Sequence, residues 1–281
     1  MELSAKNYKD SKHAEECVMR ELPGSTLRVA LDSLAGKTVI VTGGGRGLGL
    51  AIAQGFAAEG ANVAIIGRNG ALLEDVAADM RNTGLSVQAF VADMSIEQDV
   101  EAMSAAVWKA FGSIDILINN AGINPFYKRA QDTSLVEWQQ IIDVNLTGVF
   151  LGCKHVGRIM LEAGSGAIVN VTSVAARVGL ERTSAYCAAK GGVDLLTKQL
   201  ALEWAHQGIR VNAVGPGYFS TDLTVGLQGN NALSDKIMNR TPMGRFGSPD
   251  ELVGACLYLA SPAASYVTGH AIMVDGGWTA C

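Results

Sequence analysis

The sequence has no excess of positive charge and no long apolar run. Its 22 Lys and Arg are outnumbered by 27 Asp and Glu, giving a formal net charge of −5. A surface that binds nucleic acid would need a basic excess. A membrane helix would need about 18 to 20 consecutive apolar residues. The composition therefore argues against both partners and predicts a soluble protein.

Cysteines at metal or redox spacing are also missing. The five cysteines, Cys17, Cys153, Cys187, Cys256 and Cys281, form no CxxC pair and no metal-ligand spacing with the four histidines. We therefore expect reduced, unligated thiols and no bound metal. Cys187 is given no catalytic role, because only its place in the sequence brings it near the motifs described below.

The first 35 residues lack the apolar core of a signal peptide. Their acidic residues, among them Glu15, Glu16 and Glu21, argue against a mitochondrial transit peptide. We predict a cytoplasmic protein in which residues 1–35 are an N-terminal extension. Residues 36–281 are predicted to be one domain, since doubly wound folds often exceed the average domain length.

From Gly36 onward, short β-branched runs alternate with longer helical segments. The predicted strands are residues 37–43, 61–67, 86–93, 114–122, 166–173, 209–217 and 270–277. Nearly continuous apolar strands between helices indicate a parallel sheet covered on both faces. The prediction is an α/β fold, a single Rossmann-type, doubly wound, seven-stranded parallel sheet. Residues 218–241 form a polar insertion over the expected site and are predicted to be a substrate lid.

A glycine cluster, TGGGRGLG at residues 42–49, follows the first strand and opens a helix. Gly43 permits a tight turn, Gly47 lets the backbone approach a pyrophosphate, and Gly49 allows close packing of the helix. Main-chain amides and the helix N-terminus would then face the anion. The cluster predicts a dinucleotide-binding turn, although its spacing differs from GxGxxG.

The residues at the end of the second strand indicate whether the site binds NAD or NADP. A site for NAD usually has an acid there, but this chain has Gly67 followed by Arg68, with Arg46 available from the glycine cluster. Two guanidinium groups can pair with a 2′-phosphate, so NADP is the predicted cofactor. The alternative is that Arg68 only caps a strand in solvent.

A phenol and an ammonium lie four residues apart in YCAAK, at Tyr186 and Lys190, downstream of Ser173. On one helical face the cation can lower the pKa of the phenol from its ordinary value of about 10. Beside a dinucleotide site, this predicts carbonyl–alcohol interconversion by hydride transfer, with the protein supplying the proton. The alternative is a solvated helical turn.

With TGGGRGLG, NNAG at residues 119–122, DVNLTG around Asn145, Ser173, YCAAK and PGYFST at residues 216–221, the chain resembles the short-chain dehydrogenase/reductase family. The resemblance implies that Tyr186 is the general acid or base and that Ser173 holds the substrate oxygen. Lys190 would bind the nicotinamide ribose and depress the pKa of Tyr186. Asn145 would hold a water that links Lys190 to solvent.

The same resemblance implies the remaining cofactor contacts. Asp93 would contact the adenine and Met94 would supply a neighbouring amide, while Phe219 would act through its backbone and Thr221 through its hydroxyl. The full predicted set for NADP is Gly43, Arg46, Gly47, Leu48, Gly49, Arg68, Asp93, Met94, Asn120, Ala121, Gly122, Tyr186, Lys190, Pro216, Gly217, Phe219 and Thr221. The alternative for NNAG is a turn that stabilises the sheet, and both roles are compatible.

The C-terminal third is similar to gluconate 5-dehydrogenases and to other sugar and polyol dehydrogenases of that family. Arg129, Arg177 and Arg182 could each bind a substrate carboxylate or could be solvated surface charges. A 3-oxoacyl-[acyl-carrier-protein] reductase is the first alternative, but it needs a basic patch that the sequence does not show. A non-catalytic nucleotide-sensing protein is the second, but it would be expected to lack Tyr186 or Lys190.

Two segments, residues 137–161 and 185–205, have apolar residues on more than one helical face. Helices of this kind need burial beyond a single contact with the sheet, which predicts subunit interfaces. The family resemblance implies a homotetramer built on these helices.

Overall fold

The computed structural model describes residues 34–280, which contain a seven-stranded parallel sheet. Strands β1 to β7 are Thr38–Thr42, Asn62–Gly67, Val87–Val91, Ile116–Asn119, Gly166–Val171, Ile209–Pro216 and Ala271–Val274. Their order in the sheet is β3-β2-β1-β4-β5-β6-β7, so the chain winds outward in both directions from the β1–β4 pair. The predicted doubly wound sheet is confirmed. The proposed N-terminal extension lies outside the described residues, apart from its last two positions.

Helices connect these strands. They are α1 Gly47–Ala58, α2 Gly70–Asn82, α3 Glu97–Phe111, α4 Leu135–Ile142, α5 Gly148–Ala163, α6 Ser184–Trp204, α7 Val225–Gln228, α8 Asn231–Arg240 and α9 Asp250–Ala260. A π-helical turn at Asp143–Thr147 joins α4 to α5 without a break. Ser134 begins α4 with a capping box to Glu137, which satisfies two amides that the first turn would otherwise leave unpaired.

The five inner strands of the sheet are largely buried because helices cover both of its faces. Alternate residues of β1 point to opposite sides, so Val39 and Val41 join one core cluster while Ile40 joins the other. The first cluster includes Phe56 of α1 and Leu252 of α9. The second cluster includes residues of α3, α5 and α6. This is why the strands have continuous apolar runs rather than the polar alternation of a half-exposed sheet.

The insertion at residues 218–241 is helical rather than an irregular loop. A 3₁₀ turn at Asp222–Thr224 precedes α7 and α8. The segment is anchored by Ile237, which is buried against Val174 and Trp278. Its first part is open, since the side chains of Leu223 and Val225 are largely exposed.

Within residues 34–280, no helix is both long and apolar enough to cross a bilayer. The same part of the chain has no group of three or more His, Cys, Asp or Glu side chains placed to hold a metal ion. Cys153, Cys187 and Cys256 are free thiols. Burial raises the pKa of Cys153 and of Cys256 to about 12, which makes both thiols poor nucleophiles.

Candidate active site

The glycine cluster forms a tight turn between β1 and α1. Gly43 and Gly47 have φ of +68° and +53°, a region that side chains other than glycine rarely adopt. A Cβ atom on Gly49 would lie 2.1 Å from the carbonyl oxygen of Gly43, so only glycine lets the helix begin this close to the turn. The first turn of α1 has no acidic residue, which leaves its amides and its positive dipole end available for an anion.

The NNAG turn is clamped to the end of β1 by Thr42. The Thr42 hydroxyl accepts hydrogen bonds from the amides of Asn120 and Ala121, at 2.9 and 3.0 Å. Asn120 in turn donates from Nδ2 to the Thr42 carbonyl at 2.8 Å. Asn120 therefore stabilises the sheet edge, as the alternative interpretation of this motif holds, and it also lines the cleft described next. Thr42 is the first residue of the glycine motif, and the sequence alone does not predict its clamping role.

One cleft of about 1170 Å³ runs along the carboxyl ends of the strands. It exceeds the range of roughly 300 to 1000 Å³ usual for one small ligand, so it has room for a dinucleotide and a substrate together. Its lining includes most of the predicted set: Gly43, Arg46, Gly47, Leu48, Gly49, Arg68, Asp93, Met94, Asn120, Ala121, Gly122, Tyr186, Lys190, Pro216 and Thr221.

Four predicted residues are not part of this lining. Gly217 packs instead against the chain after β7, where a Cβ would lie 2.8 Å from the Cα of Asp275. The ring of Phe219 is buried in the core beside Gly247, so only its backbone, as predicted, can face a ligand. Ser173 and Asn145 are buried, and each directly follows a lining residue in the chain, Thr172 and Val144.

Asn145 lies in the π-helical turn, and its side chain is fully buried. It accepts from the amide of Ile123 at 3.0 Å, and it donates to the carbonyls of Ile123 and Ile141 at 2.8 and 3.0 Å. A Cβ on Gly122 would lie 2.7 Å from Asn145 Oδ1, so glycine is needed at this position. Both amide protons of Asn145 are used, so the predicted water would have only an Oδ1 lone pair of this side chain to bind.

Lys190 extends from α6 into the cleft floor. Its Nζ donates to the Val171 carbonyl at the end of β5, over 2.7 Å, and the residue is only 3% exposed. Burial lowers the pKa of Lys190 to about 8, because an ammonium loses hydration there. This lysine can therefore gain and lose a proton near neutral pH.

Tyr186 lies on the same helix, and the centre of its ring is 5.7 Å from Lys190 Nζ. The prediction that Lys190 lowers the pKa of this phenol is wrong for the chain alone. Burial raises the pKa of Tyr186 to about 12, and a hydrogen bond from the Ser173 hydroxyl opposes that rise only in part. The spacing of YCAAK shows that the two groups share a helical face, but it does not show how strongly burial disfavours the phenolate.

Arg68 and Asp93 face each other where β2 and β3 end. Arg68 Nη1 lies 3.8 Å from Asp93 Oδ2, and the guanidinium is two-thirds exposed. Asp93 also accepts from the amide and hydroxyl of Ser95, at 2.9 and 2.6 Å. Although burial alone would raise it, the pKa of Asp93 is lowered by the Ser95 hydrogen bonds and by Arg68. An ionised carboxylate is thus held at the place predicted to contact an adenine.

The three arginines proposed for a substrate carboxylate have different surroundings. Arg177 pairs with Asp194 at 3.1 Å, and Lys198 pairs with the same carboxylate at 2.9 Å, so Arg177 already has a carboxylate partner within the chain. Arg129 is exposed. The guanidinium of Arg182 lies 5.5 Å from the centre of the Tyr127 ring.

Sequence reasoning does not predict an aromatic cluster beside the insertion at residues 218–241. Tyr218 packs edge-on against Trp278, with ring centres 4.9 Å apart, and against Phe246 at 6.3 Å. Val174, next to Ser173, belongs to the same packed group. The motifs PGYFST and VDGGW contain two of these rings, but nothing in either motif predicts that they meet.

The fold and the site together define a dinucleotide-binding oxidoreductase. A family model described as "Enoyl-(Acyl carrier protein) reductase" matches residues 43–279. Galactitol 2-dehydrogenase (L-tagatose-forming) of Cereibacter sphaeroides is 43% identical over 251 residues, which is 88% of this chain and 96% of that protein. Gluconate 5-dehydrogenase of Gluconobacter oxydans (strain 621H) is 39% identical over 251 residues, covering 89% and 97%. The chain belongs to the short-chain dehydrogenase/reductase family.

A solved structure agrees with this assignment. The crystal structure of a gluconate 5-dehydrogenase from Burkholderia cenocepacia J2315 in complex with NADP and tartrate matches with a TM-score of 0.86. The two chains are 38% identical, and the match covers 90% of this chain and 99% of that one. The predicted resemblance to sugar and polyol dehydrogenases is therefore confirmed.

Proposed function

We propose that this chain is an NADP-dependent dehydrogenase that interconverts a carbonyl and a secondary alcohol on a sugar, a sugar acid or a polyol. One observation carries the proposal. Tyr186, with Ser173 hydrogen-bonded to it, lines the same cleft as the glycine turn and the two arginines Arg46 and Arg68. Such a cleft brings a proton donor to a bound dinucleotide.

The cofactor assignment rests on the fit of the glycine turn and on charge. The turn presents helix amides without an acidic neighbour in the first turn of α1. Arg46 and Arg68 both line the cleft at this end, and guanidinium groups match the 2′-phosphate of NADP. The bound NADP would supply or accept the hydride. The complex of the Burkholderia relative with NADP supports the choice over NAD.

Tyr186 is proposed to hold and move the proton at its Oη atom. Since the pKa of this phenol is about 12, Oη carries its proton at neutral pH and can donate it to the oxygen of a carbonyl substrate. In the opposite direction Oη accepts the proton of the alcohol. The Ser173 hydroxyl would hydrogen-bond the same substrate oxygen as charge develops on it. Lys190, with a pKa of about 8, would return the proton through Asn145 and a water.

The substrate class rests on the relatives and on the lid. Both relatives named above carry the names of dehydrogenases for a polyol and a sugar acid. Residues 218–241 are proposed to close over the substrate, because Thr221, Asp222 and Leu223 line the cleft while Leu223 and Val225 are 60% and 61% exposed. Side chains this open can move without disturbing the core.

We propose a homotetramer built on α4 to α6, in the cytoplasm. These three helices carry exposed apolar side chains: Phe150, Leu195 and Leu202 within the predicted segments, and Leu135 and Val136 at the start of α4. Exposed patches of this kind mark surfaces that associate. Light scattering should give four times the chain mass, and a monomer would contradict the proposal.

A 3-oxoacyl-[acyl-carrier-protein] reductase is the second candidate, because the description of the matching family model also names an acyl carrier protein as the substrate carrier, although it names an enoyl rather than a 3-oxoacyl group. One experiment separates the two. The enzyme is assayed for oxidation with NADP and either alditols or aldonates. It is assayed for reduction with NADPH and ketoses, keto-sugar acids or 3-oxoacyl thioesters. The absorbance of the reduced nicotinamide is followed in both assays. We expect turnover with the sugar-derived group. Turnover confined to the thioesters would replace our proposal with the second candidate, and no turnover in the panel would refute both.

A further inference from the structure

Ser173 begins a short 3₁₀ turn, Val174–Ala176, that follows β5. Its hydroxyl accepts a hydrogen bond from the amide of Ala175 at 3.1 Å, and its carbonyl accepts from the amide of Ala176 at 2.9 Å. Tyr186, to which the Ser173 hydroxyl donates a hydrogen bond, lies on a different element, α6. The geometry of the two hydroxyls therefore depends on how a three-residue turn is held against a helix.

Two side chains of α6 attach this helix to the chain on either side of Ser173. Lys190 donates to the carbonyl of Val171, two residues before Ser173, at 2.7 Å. Asp194 pairs with Arg177, four residues after Ser173, at 3.1 Å. Residues four apart in a helix lie on one face, so both attachments come from the same side of α6. Ser173 thus lies between two points at which its segment is fastened to the helix that carries the proposed proton donor.

The ion pair at Asp194 has one buried end. The side chain of Asp194 is 9% exposed, whereas those of Arg177 and Lys198 are 37% and 45% exposed. A buried carboxylate loses hydration, so it needs cationic or hydrogen-bonding partners within the protein. Because one end is buried, solvent and salt screen this pair less than they screen a fully exposed one. The pair can therefore hold the segment that carries Arg177 in place.

The two cations on Asp194 differ in what they connect. Lys198 lies four residues further along the same helix, so its pair stays within α6. Arg177 directly follows the 3₁₀ turn, and its amide donates to the Val174 carbonyl at 2.9 Å. The Arg177 pair therefore joins the turn that begins at Ser173 to α6.

We propose that Asp194 is a positioning residue: through Arg177 it holds the Ser173 turn on α6, and so keeps the Ser173 hydroxyl within hydrogen-bond reach of Tyr186. The inference rests on the proposed function and adds to it a residue outside the cleft. Neither Asp194 nor Arg177 is among the residues that line the cleft, so their effect reaches the reacting atoms through Ser173. A reacting group displaced by about 1 Å can slow a reaction by a factor of about 100.

Arg177→Gln tests this connection, with Lys198→Gln as the matched control. Each substitution removes one cation from the same carboxylate and leaves the other, so the two differ in whether the lost pair crosses to the Ser173 turn. Arg177→Gln should lower kcat by roughly 10- to 100-fold with D-gluconate, D-glucitol and the other sugar-derived members of the panel above. The affinity for NADPH, measured by fluorescence titration, should stay within about twofold. Lys198→Gln should leave kcat and the affinity near their wild-type values.

The Ser173→Ala protein shows whether Arg177 acts through Ser173. The hydroxyl is already missing there, so adding Arg177→Gln should change kcat by less than about threefold. A disturbance that reached Tyr186 or Lys190 by another route would lower kcat further in the double variant. Arg177 pairs with Asp194 through one nitrogen, Nη2, so Arg177→Lys can keep the pair and should recover most of the lost activity.

Hydrogen exchange measures the attachment of the turn without any substrate. In Arg177→Gln the amides of residues 175–178 should exchange roughly tenfold faster or more, because the turn opens locally more often. In Lys198→Gln they should keep their wild-type rates. Thermal melting checks that each variant is folded.

The outcomes separate the inference from the proposed function. Unchanged kcat or unchanged exchange in Arg177→Gln, an equal loss in Lys198→Gln, or a further loss in the double variant would each overturn the inference and leave the proposed function standing. Wild type that turns over 3-oxoacyl thioesters alone, or nothing in the panel, would overturn the proposed function. Hydrogen exchange would then decide alone whether Asp194 fastens the turn to α6.

Discussion

The two sides of the cleft differ in what forms them: one is formed by closely packed main chain and the other by exposed side chains. On the glycine-turn side, backbone atoms are so close that a single added methyl group collides, as at Gly49. On the side of the proposed lid, residues 218–241, an added Cβ on Gly226 would meet nothing within 4 Å, and Leu223 and Val225 extend into solvent. The first side is fixed by main-chain packing. The second consists of side chains that can be exchanged.

This difference explains how relatives with similar folds can carry the names of different substrates. Galactitol 2-dehydrogenase and gluconate 5-dehydrogenase both align with nearly 90% of this chain. A backbone turn that binds a dinucleotide cannot change without loss of the fold. A surface segment of short helices can change its side chains at little cost in stability, and with them, if it is the proposed lid, the substrate.

The largest effect is expected where the two sides meet, at Tyr186. Tyr186→Phe should lower kcat by about 100- to 10,000-fold, because it removes the proton that Oη exchanges. The affinity for NADPH should be largely unchanged, since the glycine turn is untouched. Steady-state turnover assays measure kcat, and fluorescence titration measures the affinity for NADPH. Retained turnover would refute the assignment of Tyr186.

The pH dependence of stability at Lys190 tests how deeply the part of the cleft around Tyr186 and Lys190 is buried. Its pKa falls from an ordinary 10.5 to about 8 on folding. Between these pH values the unfolded chain binds more protons than the folded one, so the free energy of unfolding should rise with pH. The free energy of unfolding of Lys190→Met lacks this pH-dependent contribution. The amount by which it exceeds that of wild type should therefore shrink by about 3 kcal/mol as pH rises from about 8 to about 10.5.

Chemical denaturation at several pH values measures that change. Tyr186, whose pKa is raised to about 12, titrates in the opposite direction above pH 10, and it is present in both proteins, so its contribution cancels. Leu202→Met, at an exposed position on the same helix, is the matched control and should keep the wild-type pH dependence. A constant difference between Lys190→Met and wild type would mean that Lys190 is well hydrated.

Arg68 tests the charge on the glycine-turn side. Arg68→Ala should weaken NADPH binding by roughly 10- to 100-fold, the loss expected for a hydrogen bond between charged groups. NADH, which has no 2′-phosphate, should lose far less. Isothermal titration calorimetry measures the affinities for NADPH and NADH. Arg81→Ala is the control, because Arg81 lies on the outer part of α2, where its guanidinium pairs with Glu74. Equal losses for both cofactors would refute recognition of the phosphate.

A pair of glycine variants compares the two sides most plainly, with the smallest effects. Gly49→Ala should lower the free energy of unfolding by about 1 to 3 kcal/mol, because packed backbone must move to admit the methyl group. It should also weaken NADPH and NADH alike. Gly226→Ala, with open space around it, should leave stability and cofactor affinity unchanged within about 1 kcal/mol. Similar losses in both variants would remove the distinction between the two sides.

The sequence predicts one side of the cleft far better than the other, and the reason is locality. Strands appear as short β-branched runs, and the positive φ of Gly43 and Gly47 follows from glycines within one turn. The lid side depends on partners distant in sequence. Tyr218 and Trp278 meet only after the chain has crossed α7 to α9 and β7, and no local pattern reports such a contact.

Burial is the other property that sequence spacing cannot supply. The four-residue separation of Tyr186 and Lys190 suggests a lowered phenol pKa, yet burial raises that pKa and lowers the pKa of the lysine. The sequence suggests that Arg177 is an available cation, but the fold brings Asp194 Oδ1 to 3.1 Å from Arg177 Nη2. The family motif identifies Asn145, but it does not predict the π-helical turn that buries the Asn145 side chain.

A crystal structure of the enzyme with NADP and D-gluconate tests the central claim most directly. The account predicts the dinucleotide along the glycine turn, with Tyr186 Oη and Ser173 Oγ each about 2.6 to 3.2 Å from the hydroxyl oxygen that reacts. A complex in which that oxygen contacts neither side chain, or in which Tyr186 faces away from the nicotinamide, would contradict it.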